Sequence, residues 1–175
     1  NRKMSAFTPL LHITLPDDDG HDGQGEDRHF APIIIALETM TNVNLWHIRR
    51  AMRRFQQGIG NLIMPLYQTG VRYKEDAPGR EDWRDLYGVL ARGTADCDQL
   101  CSWRTAELRA AGINAEPVIK WQHIPREMAL KLGYPSNIVP PGGLSMVHVL
   151  VRWPNGYIED PSKILGMGGG YSNRM

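Results

Sequence analysis

Net charge and cysteine are both scarce in this chain. Lys plus Arg number 20 against 19 Asp plus Glu, a formal net charge of +1, so no strong overall field draws it to nucleic acid or to a membrane surface. Its only cysteines are Cys97 and Cys101. Close together on what reads as one helix, they do not meet disulfide geometry. A C-x3-C spacing with only scattered histidines makes no tetrahedral zinc set and does not match the C-x-x-C of redox proteins. Both read as thiols, and neither cofactor nor metal is expected. Long apolar runs are missing too. The longest, Ala31 to Leu37, contains a proline and is far too short to span a bilayer, and the N-terminus lacks the pattern of a signal peptide. We expect a soluble protein without membrane contact. The chain starts at Asn1 without a Met, which reads as a processed or trimmed form.

What is present suffices for one core in one domain: 175 residues, 42% of them hydrophobic. PLLHITL reads as a strand, and the acidic, glycine-rich PDDDGHDGQGEDRH after it as a mobile loop. His12, His21 and His29 fall there with Asp17, Asp18, Asp19 and Asp22, a composition that suits a solvated loop better than a metal cluster. From Thr41 to Gln57, apolar Val43, Trp46, Met52 and Phe55, widened by Leu45, Ile48 and Ala51, predict a helix. Its basic face, Arg49, Arg50, Arg53 and Arg54, has no interleaved aromatics for stacking bases and reads as solvated or subunit-contacting.

Gly58, Gly60, Pro65 and Gly70 then break the chain, and a turn at Ala77-Pro78-Gly79 precedes EDWRDLYGVLARG, a short helix closed by Gly93. Asp96 with Gln99 three residues on predicts a capping box, and Leu100, Trp103, Ala106, Leu108 and Ala111 carry a helix to its stop at Gly112. AEPVIKW reads as a strand and HIPREMALKLGYPSNIVPPGG as a loop-rich insertion with one helical turn. MVHVLVRW and YIEDP are two strands around Pro154-Asn155-Gly156, and SKILGMGGGYSNRM is a flexible or partner-bound tail.

The capping pattern puts Cys97 in the first turn of a helix, where backbone N–H groups and the helix dipole favour a thiolate and can donate to an oxyanion. Asp96 and Asp98 oppose this by repelling a thiolate. His148, inside an apolar run, would by itself be a packed core residue. The hairpin alters that. A three-residue loop with Gly in the left-handed position pairs Trp153 with Tyr157 and Leu150 with Asp160, which puts His148 and Asp160 on one face, a diagonal pair within side-chain reach. A two-residue loop would separate them. Asp160 can then orient the His148 ring toward Cys97, in the chain order nucleophile, base, orienter. Cys101, one turn on, reads as a buried apolar residue. Trp121, His123, Trp103 or Gln68 could line a cleft, although an aromatic core residue is the simpler role for each tryptophan.

The stretch from Gly70 to Gly166, with GTADCDQLC opening the helix, LRAAGINA entering a strand, VHV and then EDP after a short hairpin, resembles transglutaminase-like cysteine peptidases, relatives of the papain-like fold. The resemblance covers roughly half of the chain. It implies an α+β fold in which a helix carrying the catalytic Cys packs on an antiparallel sheet, with Cys97 as nucleophile, His148 as base and Asp160 as orienting acid. Ala95, Gln99 and Cys101 depart from the residues usual in the family. We divide the chain into an N-terminal strand and acidic loop (1–36), the transglutaminase-like domain (37–166) and a glycine-rich tail (167–175). The expected function is a thiol-dependent amide hydrolase or acyl transferase acting on protein or peptide amides. Compact domains of this kind also occur among bacteriophage and prophage products, so the alternative is a structural or assembly protein contacting other virion subunits, located in the cytoplasm or a virion.

Overall fold

A computed structural model of the chain describes residues 12–15, 30–76 and 81–167. The expected acidic loop, its His and Asp residues beyond His12, the turn at Ala77-Pro78-Gly79 and the last residues of the tail lie outside them. The fold is mixed α+β: β1 (His12–Leu15), α1 (Phe30–Gln56), a 3-10 turn (Leu66–Gln68), β2 (Arg72–Tyr73), β3 (Glu81–Arg84), α2 (Leu86–Arg92), β4 (Thr94–Ala95), α3 (Cys97–Ala110), β5 (Glu116–Ile124), α4 (Arg126–Lys131), β6 (Leu144–Arg152), β7 (Ile158–Glu159) and α5 (Pro161–Ile164). Strands β5, β6 and β7 form an antiparallel sheet, β1 pairs antiparallel with β3, and the two-residue β2 and β4 pair in parallel. Among the described residues no helix is long and apolar enough to cross a membrane.

Helix α3 lies between two apolar clusters. Its Cys101 and Leu108 pack with Ala36, Leu37 and Met40 of α1 and with Val149 and Val151 of β6. Its Leu100 and Trp103 pack with Leu66, Val71, Leu86, Val89, Ala95 and Leu165. Most of its side chains are therefore buried, and it ends as predicted, with Gly112 at φ 84° and the Ile113 N–H returning to the Leu108 carbonyl at 2.9 Å.

Three elements differ from the sequence reading. Helix α1 begins at Phe30 rather than Thr41, because a proline in the first turn, Pro32, removes only an N–H that has no helical partner. EDWRDLYGVLARG is not one helix. Glu81–Arg84 is strand β3, and Asp85, extended at φ −67° and ψ 171°, caps α2 by accepting the Gly88 N–H at 2.9 Å. The beginning of the tail is folded in: α5 follows the sheet directly, and the Leu165 carbonyl accepts the Tyr73 N–H at 3.0 Å.

The β6–β7 register is the predicted one, with Val151 opposite Glu159 and Arg152 opposite Ile158. The Trp153 N–H donates to the Tyr157 carbonyl and the Gly156 N–H to the Trp153 carbonyl, each at 2.9 Å, with Gly156 at φ 84°. An L side chain is disfavoured there, so Gly156→Ala should cost about 1 kcal/mol. Gly142 has no positive φ and open space about it, so with both variants measured by urea unfolding, Gly156→Ala should lower the midpoint and Gly142→Ala should not.

Candidate functional site

Cys97 owes its position to a short relay. Gly93, left-handed at φ 73°, closes α2, and β4 then pairs with β2, Arg72 opposite Thr94 and Tyr73 opposite Ala95. This delivers Asp96 in extended conformation, φ −94° and ψ −170°, as the N-cap residue. The predicted capping box does not form. The Gln99 N–H is held by Asp98 Oδ1 at 2.6 Å, and Gln99 Nε2 reaches across to the Asp82 carbonyl at 2.7 Å. Gln99 is buried, and its amide satisfies a strand rather than the helix end.

The repulsion expected from Asp98 is reduced by its burial. Burial pushes the Asp98 carboxyl up, opposed by hydrogen bonds from Asp96 and the Gln99 N–H and assisted by nearby Asp76. No pattern in the sequence points to Tyr73 as a neighbour of Cys97. Burial first, then the fields of Cys97, Glu75, Asp96 and Tyr134, push its hydroxyl up, and it remains a neutral donor within electrostatic reach of Cys97.

On the sheet, His148 Nε2 lies 3.0 Å from Asp160 Oδ2, as the hairpin register requires. A carboxylate only accepts, so Nε2 carries a proton, and in the neutral ring the lone pair is then on Nδ1. Asp160 ends the strand and caps α5, its Oδ1 accepting the Lys163 N–H at 3.1 Å, with Lys163 Nζ 3.5 Å from Oδ2. Desolvation raises its pKa, but the His148 bond, the Lys163 N–H and the electrostatic influence of His148 and Lys163 outweigh this and leave it lowered. Asp160 is the ionised partner of the pair.

Strand β7 covers only Val151 and Arg152 of β6, and α3 lies against β6 beyond that point. Cys101 Sγ donates to the Val149 carbonyl at 3.0 Å, and Arg104 meets Glu159, the residue opposite Val151. Helix and strand thus run the same way. Four residues of helix rise about 6 Å and two of strand about 6.6 Å, so one turn of α3 before Cys101 corresponds to Val147, two residues before Val149. His148 and Asp160 leave the sheet on the face opposite to Val149, Val151 and Glu159.

The structure joins His148 to Asp160 directly, and half-buried Cys97, at the head of α3, packs against the apolar cluster that holds Val149 and Val151 of the same strand. Cys101 is buried, and desolvation, with the charges of Cys97, Asp160, Asp98 and Glu159, pushes its thiol well up, as befits an inert core residue. Trp103 is fully buried in the second cluster, while Gln68 and His123 are exposed. The side chain of Trp121 lies outside the described part. Among the described residues no three His, Cys, Asp or Glu side chains stand together as metal ligands.

A buried acid whose pKa is raised by folding favours the folded state below its unfolded pKa and loses that contribution as pH rises through the folded value. The stability of the wild type relative to Asp98→Asn should therefore fall as pH rises, measured by urea unfolding across the acid-to-neutral range. A constant difference would show that Asp98 titrates alike in both states.

Set against protein-family models, curated proteins and solved structures, the chain finds no match.

Proposed function

We propose that the protein is a thiol-dependent amide hydrolase or acyl transferase of transglutaminase-like type, built on a papain-like arrangement of helix and sheet. The observation that carries this is the His148–Asp160 pair at 3.0 Å on the strand along which the Cys97 helix lies. Cys97 Sγ attacks the amide carbonyl, His148 accepts the thiol proton at Nδ1, and Asp160 holds the ring and stabilises the imidazolium. The C–N bond then breaks as His148 returns that proton to the leaving amine. Water, or a second amine, resolves the thioester, with His148 again taking and returning the proton. With the Gln99 N–H held by Asp98, we assign the Cys97 N–H and the Tyr73 hydroxyl to the developing oxyanion. The substrate class is a protein or peptide amide, isopeptide and cell-wall crosslink amides included.

Iodoacetamide at about pH 6 should alkylate Cys97 at least about a hundredfold faster than Cys101, and His148→Ala should slow Cys97 about tenfold or more. Cys97 no more reactive than Cys101 would sink the proposal.

A structural role in an assembly, the virion-subunit alternative, is favoured by one surface. Beyond Ala51 the chain stays exposed to Pro65 except for Ile63, with Phe55, Ile59, Leu62 and Met64 about half exposed beside Arg49, Arg50, Arg53 and Arg54. An uncovered apolar patch of this kind marks a contact surface. Under this reading Leu62→Asp abolishes co-sedimentation with a large particle while Cys97→Ala leaves assembly and function intact.

A further inference from the structure

Next to Asp160 in sequence, but on the other face of the sheet, Glu159 is gripped from several elements. Its Oε1 accepts Arg104 Nε at 2.7 Å and the Tyr67 hydroxyl, and its Oε2 accepts Trp153 Nε1 at 2.8 Å. Glu159 is 5% exposed. Desolvation alone would raise its pKa, yet the bonds from Arg104, Tyr67 and Trp153 lower it, so the carboxylate is ionised. The Arg104 guanidinium lies 5.1 Å from the Tyr67 ring centre and 5.9 Å from that of Trp153. It also meets Glu107 Oε2 at 3.2 Å, and Glu107 Oε1 accepts the Leu66 N–H at 2.6 Å. Four elements, the 3-10 turn, α3, the end of β6 and β7, are tied through one carboxylate.

Such a buried, fully paired charge costs more in desolvation than a well-packed apolar residue would, so stability alone does not account for it. Its place in the fold does. Cys97, Cys101 and Arg104 recur at one-turn spacing along a single stripe of α3. Arg104 fixes that stripe to the residue preceding Asp160. We propose that Glu159, through Arg104, Tyr67 and Trp153, is the positioning residue that sets the His148–Asp160 pair in register with Cys97. The inference rests on the thiol chemistry proposed above.

The test is the ratio of Cys97 alkylation rates at about pH 6 and about pH 9.5, where an accessible thiol of ordinary pKa is ionised, with the labelled residue identified by peptide mass. Removing a negative charge acts directly to favour a thiolate and would raise the low-pH rate. Lost positioning lowers it. Glu159→Gln should therefore lower the ratio about tenfold, the factor of one pKa unit, with the high-pH rate unchanged and Cys101 still unlabelled. Tyr67→Phe, which keeps the charge and removes one donor, should lower it less and in the same sense. Because Glu159→Gln could fail to fold, Tyr67→Phe and Trp153→Phe decide alone in that case. A ratio unchanged or raised in folded variants overturns the positioning role. If His148→Ala leaves the wild-type ratio unchanged, the thiol–imidazole reading itself fails, and the positioning role with it.

Discussion

Everything in this molecule is arranged around burying α3 on nearly all sides. Its sequence is not that of an apolar core helix: between Cys97 and Ala110 only Leu100, Trp103 and Leu108 are large apolar residues. Surrounding it therefore calls for two separate clusters, α1 and the sheet on one side and α2 with the turn before β2 on the other. Polar ties hold what apolar area does not. Arg109 donates two hydrogen bonds to the Glu38 carboxylate of α1, at 2.8 and 3.0 Å, and a third to the Ala115 carbonyl at 2.8 Å. Cys101 holds the Val149 carbonyl and Gln99 the Asp82 carbonyl. On the thiol chemistry proposed above, the nucleophile at the head of this helix is carried by a thoroughly constrained element of the fold, as a preorganised site needs.

The sheet answers the helix with economical chemistry. Each carboxylate at the end of β7 does two things: Glu159 inward ties the strand to the core, and Asp160 on the open face orients the imidazole while capping α5. A group that orients another must itself be fixed, and the cap provides this without a further side chain. Acidification acts on the same group. The lowered pKa of Asp160 contributes stability above its unfolded value, and that contribution is lost as pH falls through the folded one.

What could be read in advance follows from the range of the forces involved. The β6–β7 register was legible because alternation and a Gly-closed turn are local, and the His148–Asp160 contact followed from parity. The start and stop of α3 were legible from Gly93, Asp96 and Gly112. The early start of α1 was not: the β-branched Ile33, Ile34 and Ile35 argue against a helix locally, and packing of Leu37 and Met40 on α3 overrides them. Gln99 sits where a capping box predicts it, yet it bonds to β3, a tertiary choice that spacing does not encode. The Glu159 cluster was invisible for the same reason, since Tyr67, Arg104, Trp153 and Glu159 share no local pattern. The level at which Cys97 meets β6 likewise depends on contacts between distant segments.

The excursion between β5 and β6 has a small core of its own, Ile124, Ala129 and Val139 with Tyr134 and Leu144. It leaves and rejoins the sheet through a tight neck. At Gly143, φ 101°, a Cβ would stand 2.4 Å from the Ile124 carbonyl oxygen, so the two ends of the excursion touch backbone to backbone. A loop whose ends are clamped this closely is a cassette. Its interior can be exchanged, lengthened or recoloured with other side chains while the strands beneath keep their pairing, so recognition can evolve on this protein separately from the helix and sheet that it decorates.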